Sequence, residues 1–364
     1  MRNLLLFIIL ISFSSLLFSA PGDLIWRYKT GDDVYSSPCV SDGVVYFGSY
    51  DWYIYAINSS DGSFKWRYKT GSYVESSPCV SEGVVYIGSR DNYLYAVNCS
   101  DGTLKWRYQT GNFVISSPCV SDGVVYVGSN DFYLYAINCS DGTLKWRYQT
   151  GNWIRSSPCV SNGVVFVGSW DYRIYVINCS DGTLKWRYQT CDWIESSPCV
   201  SDGVVYVGSR DSLLYAIDCS DGTLKWRYKT GNQIYSSPCV SDGVVYIGSY
   251  DSYLYAINCS NGTLKWRYQT GYEVSSSPCV SDGVVYVGSW DNYLYAINCS
   301  DGTLKWRYQT GDGVYSSPCV SDGIVYVGSA DYYLYAIDSG KPFIKVYSPN
   351  GGEEWDVGSV HDIT

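Results

Sequence analysis

The sequence predicts an all-β protein, a closed β-propeller of eight blades with four antiparallel strands each. The motif Trp-Arg-Tyr recurs eight times, from Trp26 to Trp306, at intervals of forty residues and without an insertion. Self-similarity at such a period is typical of one supersecondary unit stacked on copies of itself. Each unit contains four short runs rich in Val, Ile and Tyr, and turn signals separate them. The repeat therefore predicts thirty-two strands in eight sheets.

The second unit shows how the predicted strands are assigned. They cover residues 76–81, 84–89, 93–99 and 103–110, with turns at Glu82-Gly83, Arg90-Asp91-Asn92 and Asp101-Gly102. Short β-branched and aromatic runs joined by such turns are typical of antiparallel hairpins. A β-solenoid is the alternative, but solenoid coils usually repeat in fewer residues and would lack these hairpins.

The ends of the array predict how the ring closes. The first complete strand, residues 24–30, matches the fourth strand of a blade, whereas the last unit stops after its third strand, residues 333–339. We therefore expect the N-terminal strand to complete the eighth blade and to lock the ring with hydrogen bonds. On this interpretation the propeller covers residues 23–340, is monomeric and needs no separate capping repeats.

The two ends of the chain carry other signals. Residues 4–18 form an apolar run of about fifteen after the single charge of Arg2, which is too short to span a ~30 Å hydrocarbon core comfortably. We predict a signal peptide in residues 1–22, with an uncleaved N-terminal anchor as the alternative, and expect the remaining chain to be secreted or at the cell surface. Residues 341–364 break the repeat and resemble a linker with the truncated start of an Ig-like or fibronectin-like domain.

Composition and charge exclude several classes of function. The net charge of −10 argues against a nucleic-acid partner, because such a surface needs cations to displace counterions from phosphate. The single histidine, His361, lies outside the repeats, so they lack the commonest general base and metal ligand. No later segment is apolar enough to cross a membrane, so we expect membrane contact only through an uncleaved N-terminal anchor.

Fourteen of the fifteen cysteines occupy two positions of the repeat, in Ser-Ser-Pro-Cys and at the end of the third strand. They are interpreted as small buried apolar residues, with a disulfide ladder as the alternative that an extracellular location leaves open. Within one blade the ladder is disfavoured, because the first and third strands lie about 9.6 Å apart and disulfides need Cα atoms within ~7 Å. Cys191 alone replaces the Gly of a Thr-Gly turn and is expected to be partly exposed.

One aspartate recurs after the second strand of every unit. One carboxylate per blade is spread too widely for a Ca²⁺ cage of roughly six to eight oxygens, so we expect no metal site there. The series is Asp51, Asp91, Asp131, Asp171, Asp211, Asp251, Asp291 and Asp331.

A second motif in the units resembles a known family. Ala136-x-Asn138-x-x-x-Gly142-x-x-x-Trp146 is similar to the tryptophan-docking motif of pyrroloquinoline quinone (PQQ)-type propeller repeats. The resemblance implies that each indole lies at the seam between neighbouring blades, where a wide ring fills the contact. Val176 stands where the motif has Ala, which should slightly alter one seam. The docking tryptophans are Trp26, Trp66, Trp106, Trp146, Trp186, Trp226, Trp266 and Trp306.

The enzyme chemistry of that family is not expected in this chain. The resemblance implies that its quinoprotein dehydrogenases hold the quinone and Ca²⁺ with a vicinal Cys-Cys disulfide, an Asp base and ligands on long loops. This sequence has no Cys-Cys pair, and its uniform units leave no room for such loops. We therefore expect no catalysis, PQQ or Ca²⁺, with a quinone-dependent dehydrogenase as the alternative. The chain also resembles the lipoprotein propeller of the outer-membrane β-barrel assembly machine, without the lipobox Cys.

The residues that differ between units concentrate in the link between blades and in the turn between the second and third strands. A four-stranded meander places both connections at the same end of a blade, so one face of the disc varies and the other does not. The variable face is rich in Trp, Tyr and Arg, the residue types that dominate binding hot spots. The predicted ligand-binding residues are Trp52, Trp153, Arg155, Trp170, Tyr172, Trp193, Arg210 and Trp290.

One position on this face is expected to be strained. Trp52, Phe132, Tyr172 and Tyr332 stand where related repeats commonly have a glycine with positive φ. Keeping a large ring there indicates that the ring has a use other than turn formation.

We therefore expect a non-catalytic, secreted or cell-surface propeller that binds a protein or a polysaccharide at the cell envelope. Ring stacking beside Asp and Asn would suit a glycan, whereas Arg beside Trp suits a protein equally well. One alternative is that the rings only pack on one another over the channel mouth. Another is that the propeller is an envelope assembly or spacing scaffold.

Overall fold

The computed structural model describes residues 20–341, which form thirty-two β-strands and, within that range, no helix. The strands make eight separate four-stranded sheets with antiparallel pairing, which confirms the predicted propeller. No segment of residues 20–341 is a helix long and apolar enough to span a membrane. The apolar run at residues 4–18, the segment beyond Lys341 and His361 lie outside the described residues.

The strands are numbered in chain order and grouped by blade. β1 is Leu24–Lys29. Blade 1 contains β2 (Cys39–Ser41), β3 (Val44–Gly48), β4 (Tyr53–Asn58) and β5 (Phe64–Lys69). Blade 2 contains β6 (Cys79–Ser81), β7 (Val84–Gly88), β8 (Tyr93–Asn98) and β9 (Leu104–Gln109). Blade 3 contains β10 (Cys119–Ser121), β11 (Val124–Gly128), β12 (Tyr133–Asn138) and β13 (Leu144–Gln149). Blade 4 contains β14 (Cys159–Ser161), β15 (Val164–Ser169), β16 (Arg173–Asn178) and β17 (Leu184–Gln189).

The remaining blades repeat the pattern. Blade 5 contains β18 (Cys199–Ser201), β19 (Val204–Gly208), β20 (Leu213–Asp218) and β21 (Leu224–Lys229). Blade 6 contains β22 (Cys239–Ser241), β23 (Val244–Gly248), β24 (Tyr253–Asn258) and β25 (Leu264–Gln269). Blade 7 contains β26 (Cys279–Ser281), β27 (Val284–Gly288), β28 (Tyr293–Asn298) and β29 (Leu304–Gln309). Blade 8 contains β30 (Cys319–Ser321), β31 (Ile324–Gly328), β32 (Tyr333–Asp338) and β1.

Within each blade the strands follow one another outwards, because the first strands of neighbouring blades contact each other around the centre of the ring. In blade 2 a bulge follows Ala96, where β8 pairs with β9. The first strand covers Cys79–Ser81 and not the whole of residues 76–81, so the predicted start of this strand is wrong. Pro78 has no N–H for a ladder, and the Ser76 hydroxyl accepts the N–H of Gly88 at 3.0 Å.

The N-terminal strand closes the ring as predicted. β1 pairs antiparallel with β32, and the eighth sheet runs in the order β1, β32, β31, β30. Trp26 lies opposite Ala336, the pairing that Trp106 makes with Ala96 inside blade 2. Blade 8 is therefore built from both ends of the described chain.

A ring of hydrogen bonds joins the innermost segments of all eight blades. The N–H of the second Ser in each Ser-Ser-Pro donates to the hydroxyl of the same serine in the next blade, at 2.9 Å. The bond from Ser317 to Ser37 completes the circle across 280 residues of sequence. The nearby thiols accept further bonds, such as that of Cys39 from the N–H of Val80. The seam between blades 8 and 1 is therefore bonded like the others.

The hydrophobic core lies at the seams between blades. One cluster joins Tyr86 and Trp106 of blade 2 to Val125 and Tyr135 of blade 3. Trp106 Nε1 donates to the carbonyl oxygen of Cys139 at 3.0 Å, and the other seven docking tryptophans make the equivalent bond at 2.8–3.4 Å. Each seam thus packs a large ring, which is buried at six seams and partly buried at those of Trp186 and Trp226, and still satisfies its N–H group, which stabilises the contact.

The cysteines contribute to the same seams as thiols. All fifteen are free in this structure; Cys191 is exposed, Cys139 is buried and the other thirteen are partly buried. The hydroxyl of Tyr86 donates to the thiol of Cys139 across the seam between blades 2 and 3. Burial raises the pKa of Cys199 to about 12 and that of Cys39 to about 11. The repeated cysteines therefore pack at the seams as thiols, but most are only partly buried, which corrects the interpretation of them as buried residues.

The seam between blades 4 and 5 departs from the others. Phe166 replaces the tyrosine of the other units, and its ring meets Trp186 at 6.3 Å and 69°. The equivalent Tyr–Trp pairs lie at 5.7–5.8 Å and 43–48°. Val176, opposite Trp186, belongs to the same cluster. Phe166 has no hydroxyl to place beside Cys219, and both residues line a surface cavity of about 350 Å³ at this seam.

Candidate functional site

The variable face is built from two connections that hydrogen-bond to each other, as the meander predicts. Tyr50 N, in the turn between β3 and β4, donates to Asp33 O in the link into blade 1 at 2.9 Å. At the opposite end of the same blade, Ser59 N donates to Gly43 O at 2.9 Å and joins the two invariant turns. The positions that differ between units therefore gather on one face of the ring.

The repeated aspartates bind backbone groups of the neighbouring blade. Asp51 Oδ2 accepts the N–H of Gly31 at 2.8 Å and the hydroxyl of Tyr55, while Oδ1 accepts the N–H of Tyr53. Since Gly31 lies in the link from blade 8, this carboxylate ties blade 8 to blade 1. Within residues 20–341, no three His, Cys, Asp or Glu side chains are grouped to hold a metal ion.

A run of aromatic rings in contact, some stacked and others tilted or edge-on, lies on the variable face and is here called the aromatic ladder. Neighbouring ring centroids lie 4.2–5.6 Å apart, except where Arg210 bridges two rings. The ladder stops at blade 3, where Ile115 and Asn130 occupy the equivalent positions. Its rings are, in order, Trp153, Trp170, Trp193, Tyr235, Tyr250, Trp290, Tyr315, Tyr35, Tyr50 and Tyr73.

Three arginines lie on the rings of the ladder. Arg155 lies 4.4 Å from the ring centroid of Trp170, and Arg210 lies 4.5 Å from that of Trp193. Arg155 also pairs with Glu195 at 3.3 Å. Burial raises the pKa of Glu195, and the neighbouring Arg155 and Arg210 oppose that rise. The third arginine, Arg90, covers the other end of the ladder and pairs with Glu75.

Two rings near one end of the ladder cover each other. Trp193 stacks on Trp170 at 4.2 Å and 4°, and the guanidinium of Arg155 also lies over that indole. Two groups at such distances cannot share one side of a ring, so both faces of Trp170 are occupied. The expectation that these rings pack on one another over the channel mouth therefore holds for Trp170.

Exposed rings also occupy the position after the repeated aspartate, here called the rim of the variable face, although Tyr73 of the ladder is itself 38% exposed. Trp52 and Tyr332 are 42% exposed and Tyr172 is 40% exposed. Their φ angles are 75°, 74° and 71°, and that of Phe132 is 77°. Left-handed backbone is unfavourable for large side chains, so the expected strain is present.

The predicted site residues fall into two groups. Five come together as one cluster of blades 4 and 5, and Trp290 lies farther along the same ladder, where its Nε1 donates to Ser275 Oγ at 2.8 Å. Trp52 and Tyr172 belong to the rim. Sequence reasoning missed Tyr35, Tyr235 and Tyr315, although they occupy a link position that differs between units. The clustered five are Trp153, Arg155, Trp170, Trp193 and Arg210.

Two protein-family models match this chain. One is described as outer membrane protein assembly factor BamB and matches residues 15–118, 73–152 and 114–196. The other is described as beta-alanine-activating enzyme, beta-propeller, and matches residues 163–345. Each covers half of the chain, and the first is a model of PQQ-type repeats. The chain belongs to the PQQ-like β-propeller repeat family.

Solved structures similar to this PQQ-like propeller include proteins of different kinds. BamB from Moraxella catarrhalis matches with a TM-score of 0.76 and 17% identity, over 87% of this chain and 99% of that chain. The computationally designed Ika8 protein matches with a TM-score of 0.80 and 15% identity, over 87% and 99%. A europium-containing methanol dehydrogenase matches with a TM-score of 0.74 and 13% identity, over 87% and 93%. Among curated sequences none matches significantly. At such identities the likeness shows the fold alone.

Proposed function

We propose that this PQQ-like propeller is a non-catalytic binding protein of the cell envelope whose variable face recognises a protein partner. One observation carries the proposal: units that are otherwise nearly identical differ on one face, and there they carry a ladder of Trp, Tyr and Arg inside a rim of exposed rings. Such residue types dominate binding hot spots, particularly when neighbouring contacts hold them rigid. The opposite face repeats nearly the same turns in every unit, with Glu82, Asn162 and Asn261 as substitutions for Asp.

A protein partner suits this face better than a polysaccharide. A sugar ring that stacks on an indole needs an open face, and both faces of Trp170 are covered. The open rings of Trp52, Tyr172 and Tyr332 belong to separate blades, an arrangement that a broad protein surface can contact together. The description of one matching family, an outer membrane protein assembly factor, agrees with a protein partner at the envelope.

We also propose that the chain has no quinone-dependent catalytic activity. The fold family implies PQQ and Ca²⁺, but the residues on this face do not fit them. Glu75 and Glu195, which lie beside the ladder, are already paired with Arg90 and Arg155. The carboxylates of the Asp51 series bind backbone N–H groups and tyrosine hydroxyls. The chain has no adjacent cysteines with which to form a vicinal disulfide.

Site-specific photo-crosslinking tests the proposal. A benzoyl-phenylalanine replaces Tyr172 on the rim of the variable face, and a control variant carries it at Asp101 in an invariant turn. We expect the first variant to form a covalent adduct with a discrete protein of the cell envelope, and the control to form none. Equal labelling from both faces would contradict the proposal, and so would retention of the unlabelled chain on purified envelope polysaccharide.

A further inference from the structure

The outer edge of six blades carries a repeated cation–π contact. In each, an arginine of the outermost strand lies over a tyrosine of the third strand, with the guanidinium carbon 4.3–4.6 Å from the ring centroid. The contact holds the arginine on its own blade and covers its charge on one side. The pairs are Arg27 with Tyr333, Arg67 with Tyr53, Arg107 with Tyr93, Arg147 with Tyr133, Arg267 with Tyr253, and Arg307 with Tyr293.

Blades 4 and 5 lack this contact. Arg173 and Leu213 stand at the positions of the tyrosine, and within residues 20–341 neither Arg187 nor Arg227 lies over a ring. In blade 4 the side chain of Arg173 takes the place of the ring, and its Nη1 lies 3.8 Å from Asp171 Oδ2. In blade 5 the replacement is aliphatic and offers no π face. The guanidinium of Arg227 is therefore exposed and without its usual partner.

A shallow cavity of about 360 Å³ occupies the space that a tyrosine would fill on blade 5. Leu213, Arg227, Lys229 and Asp211 line it, and Lys229 pairs directly with Leu213 across the two strands. Five blades carry Gln at the position of Lys229. The other two carry Lys, but beside a tyrosine 5.9–6.0 Å away. Blade 5 alone in the described ring thus combines two cations with an aliphatic floor.

The charges in this cavity are unbalanced. Neither Arg227 nor Lys229 forms an ion pair with any part of the chain that the structure describes. The single carboxylate, that of Asp211, already accepts bonds from Cys191 N at 3.0 Å, from the Tyr215 hydroxyl and from the backbone of blade 5. A chain of net charge −10 therefore presents a local excess of positive charge here.

We propose that this cavity binds a carboxylate side chain of an acidic, extended protein segment. A guanidinium can hold a carboxylate through two parallel N–H bonds, and the ammonium of Lys229 adds a second charge. Leu213 offers apolar contact to the methylene groups of an Asp or Glu side chain. β21 is the outermost strand of blade 5, so its free backbone edge can pair with an extended segment that places the carboxylate in the cavity.

The test uses the whole chain and a fluorescein-labelled hexaglutamate peptide, with binding followed by fluorescence anisotropy at low ionic strength. Exchanging both cations, Arg227→Gln with Lys229→Gln, should weaken binding about tenfold. Leu213→Tyr keeps both cations but restores the ring on which the arginine lies in other blades, and should also weaken binding severalfold. The control Arg267→Gln removes an arginine that is stacked on Tyr253 and should change nothing.

A gain-of-site variant completes the test. Tyr253→Leu with Gln269→Lys builds the blade 5 arrangement on blade 6 and should raise the stoichiometry from one peptide to two. Unchanged binding in Leu213→Tyr, or equal weakening in Arg267→Gln, would overturn the proposal in favour of diffuse attraction. Tighter binding to anionic lipid vesicles than to the peptide, with the same dependence on Arg227, would replace the protein segment with a membrane.

Discussion

Gly142 lies directly against the indole of Trp106, so that a Cβ atom placed on Gly142 would come within 2.7 Å of the ring. The same close approach recurs at the other seams that use this turn, from Gly62 with Trp26 to Gly302 with Trp266. The glycine of the docking motif thus serves two needs, since it has φ of +74° and leaves room for the neighbouring blade.

This contact predicts a difference between two glycine substitutions. Gly142→Ala and Gly123→Ala both place a side chain at positive φ, which costs about 1 kcal/mol. Gly123 has open space around it, whereas Gly142 faces the indole, so Gly142→Ala should cost about 2 kcal/mol more. Urea unfolding followed by circular dichroism measures both. Equal losses would mean that the seam yields to the added methyl group without strain.

The cavity beside Phe166 predicts a stabilising substitution. Phe166→Tyr should place a hydroxyl beside the thiol of Cys219, as Tyr126 does with Cys179, and raise the free energy of unfolding by about 1 kcal/mol. The matched variant Tyr126→Phe removes that bond from an ordinary seam and should lower stability by about as much. Chemical denaturation of the two variants checks the sign of each change. A loss of stability in Phe166→Tyr would show that the cavity walls cannot accept the hydroxyl.

The left-handed backbone at the rim predicts that glycine substitution there raises stability. Phe132→Gly relieves left-handed backbone and should raise the free energy of unfolding by about 1 kcal/mol. Asn92→Gly is the control, because Asn tolerates φ of 73° and should gain much less. Thermal and urea unfolding measure both variants. Equal gains would indicate that the ring at residue 132 is held without strain.

The same rim should carry the affinity for the proposed partner. Trp52→Ala with Tyr172→Ala should lower the affinity for the crosslinked protein at least about tenfold, because both rings are exposed and their removal empties the contact. Leu104→Ala removes a similarly exposed apolar side chain from an outermost strand and should leave binding unchanged. Isothermal titration with the purified partner distinguishes the two results. An equal loss in Leu104→Ala would place the interface on the outer edge.

The thiols predict a reactivity pattern and a pH dependence. In the native chain a chromogenic aromatic disulfide at pH 8 should react rapidly with one thiol, that of exposed Cys191, and Cys191→Ser should abolish the fast phase. Burial raises the pKa of Cys199 and of Cys279 to about 12 from an ordinary value of 9.0. The stability that these thiols contribute is complete below pH 9 and is lost as the pH rises towards 12.

Unfolding midpoints in urea between pH 8 and 11 check the second part of this expectation. The midpoint should stay level up to about pH 9 and then fall, because the unfolded chain ionises its thiols first. A second fast-reacting thiol, or a midpoint that rises above pH 9, would show that the repeated cysteines are less buried than their seam positions require.

The period of the sequence was sufficient to predict the strand order and the closure of the ring. The period was insufficient to predict side-chain contacts that depend on how the blades curve into a closed ring. Tyr35 and Tyr315 have rings 4.8 Å apart although 280 residues separate them, and only a closed ring brings them together. The short first strands were also missed, because the hydrogen bond from Gly88 to the Ser76 hydroxyl replaces a ladder bond that Pro78 cannot make.

The sequence likewise predicted only part of the candidate site. Comparing the units with one another identified the variable face and most of its rings. The mutual coverage of Trp170 and Trp193 could not be predicted, since it depends on the angle between neighbouring blades. The outer-edge stacking of Arg67 on Tyr53 was also missed, because the residues lie in different strands and each has an ordinary reason to occupy a strand. A repeat pattern alone does not predict the side-chain contacts between different strands or between neighbouring blades.

The pairing of β1 with β32 has a consequence for how such a gene can change. Every unit presents its third strand in the same register, so β1 would find its partner in whichever unit came last. Adding or removing one whole forty-residue unit would leave this lock intact. The number of blades is therefore set by the angle at which seams pack. A chain with one unit more or fewer would keep every sheet whole, but it would have to change that angle at every seam.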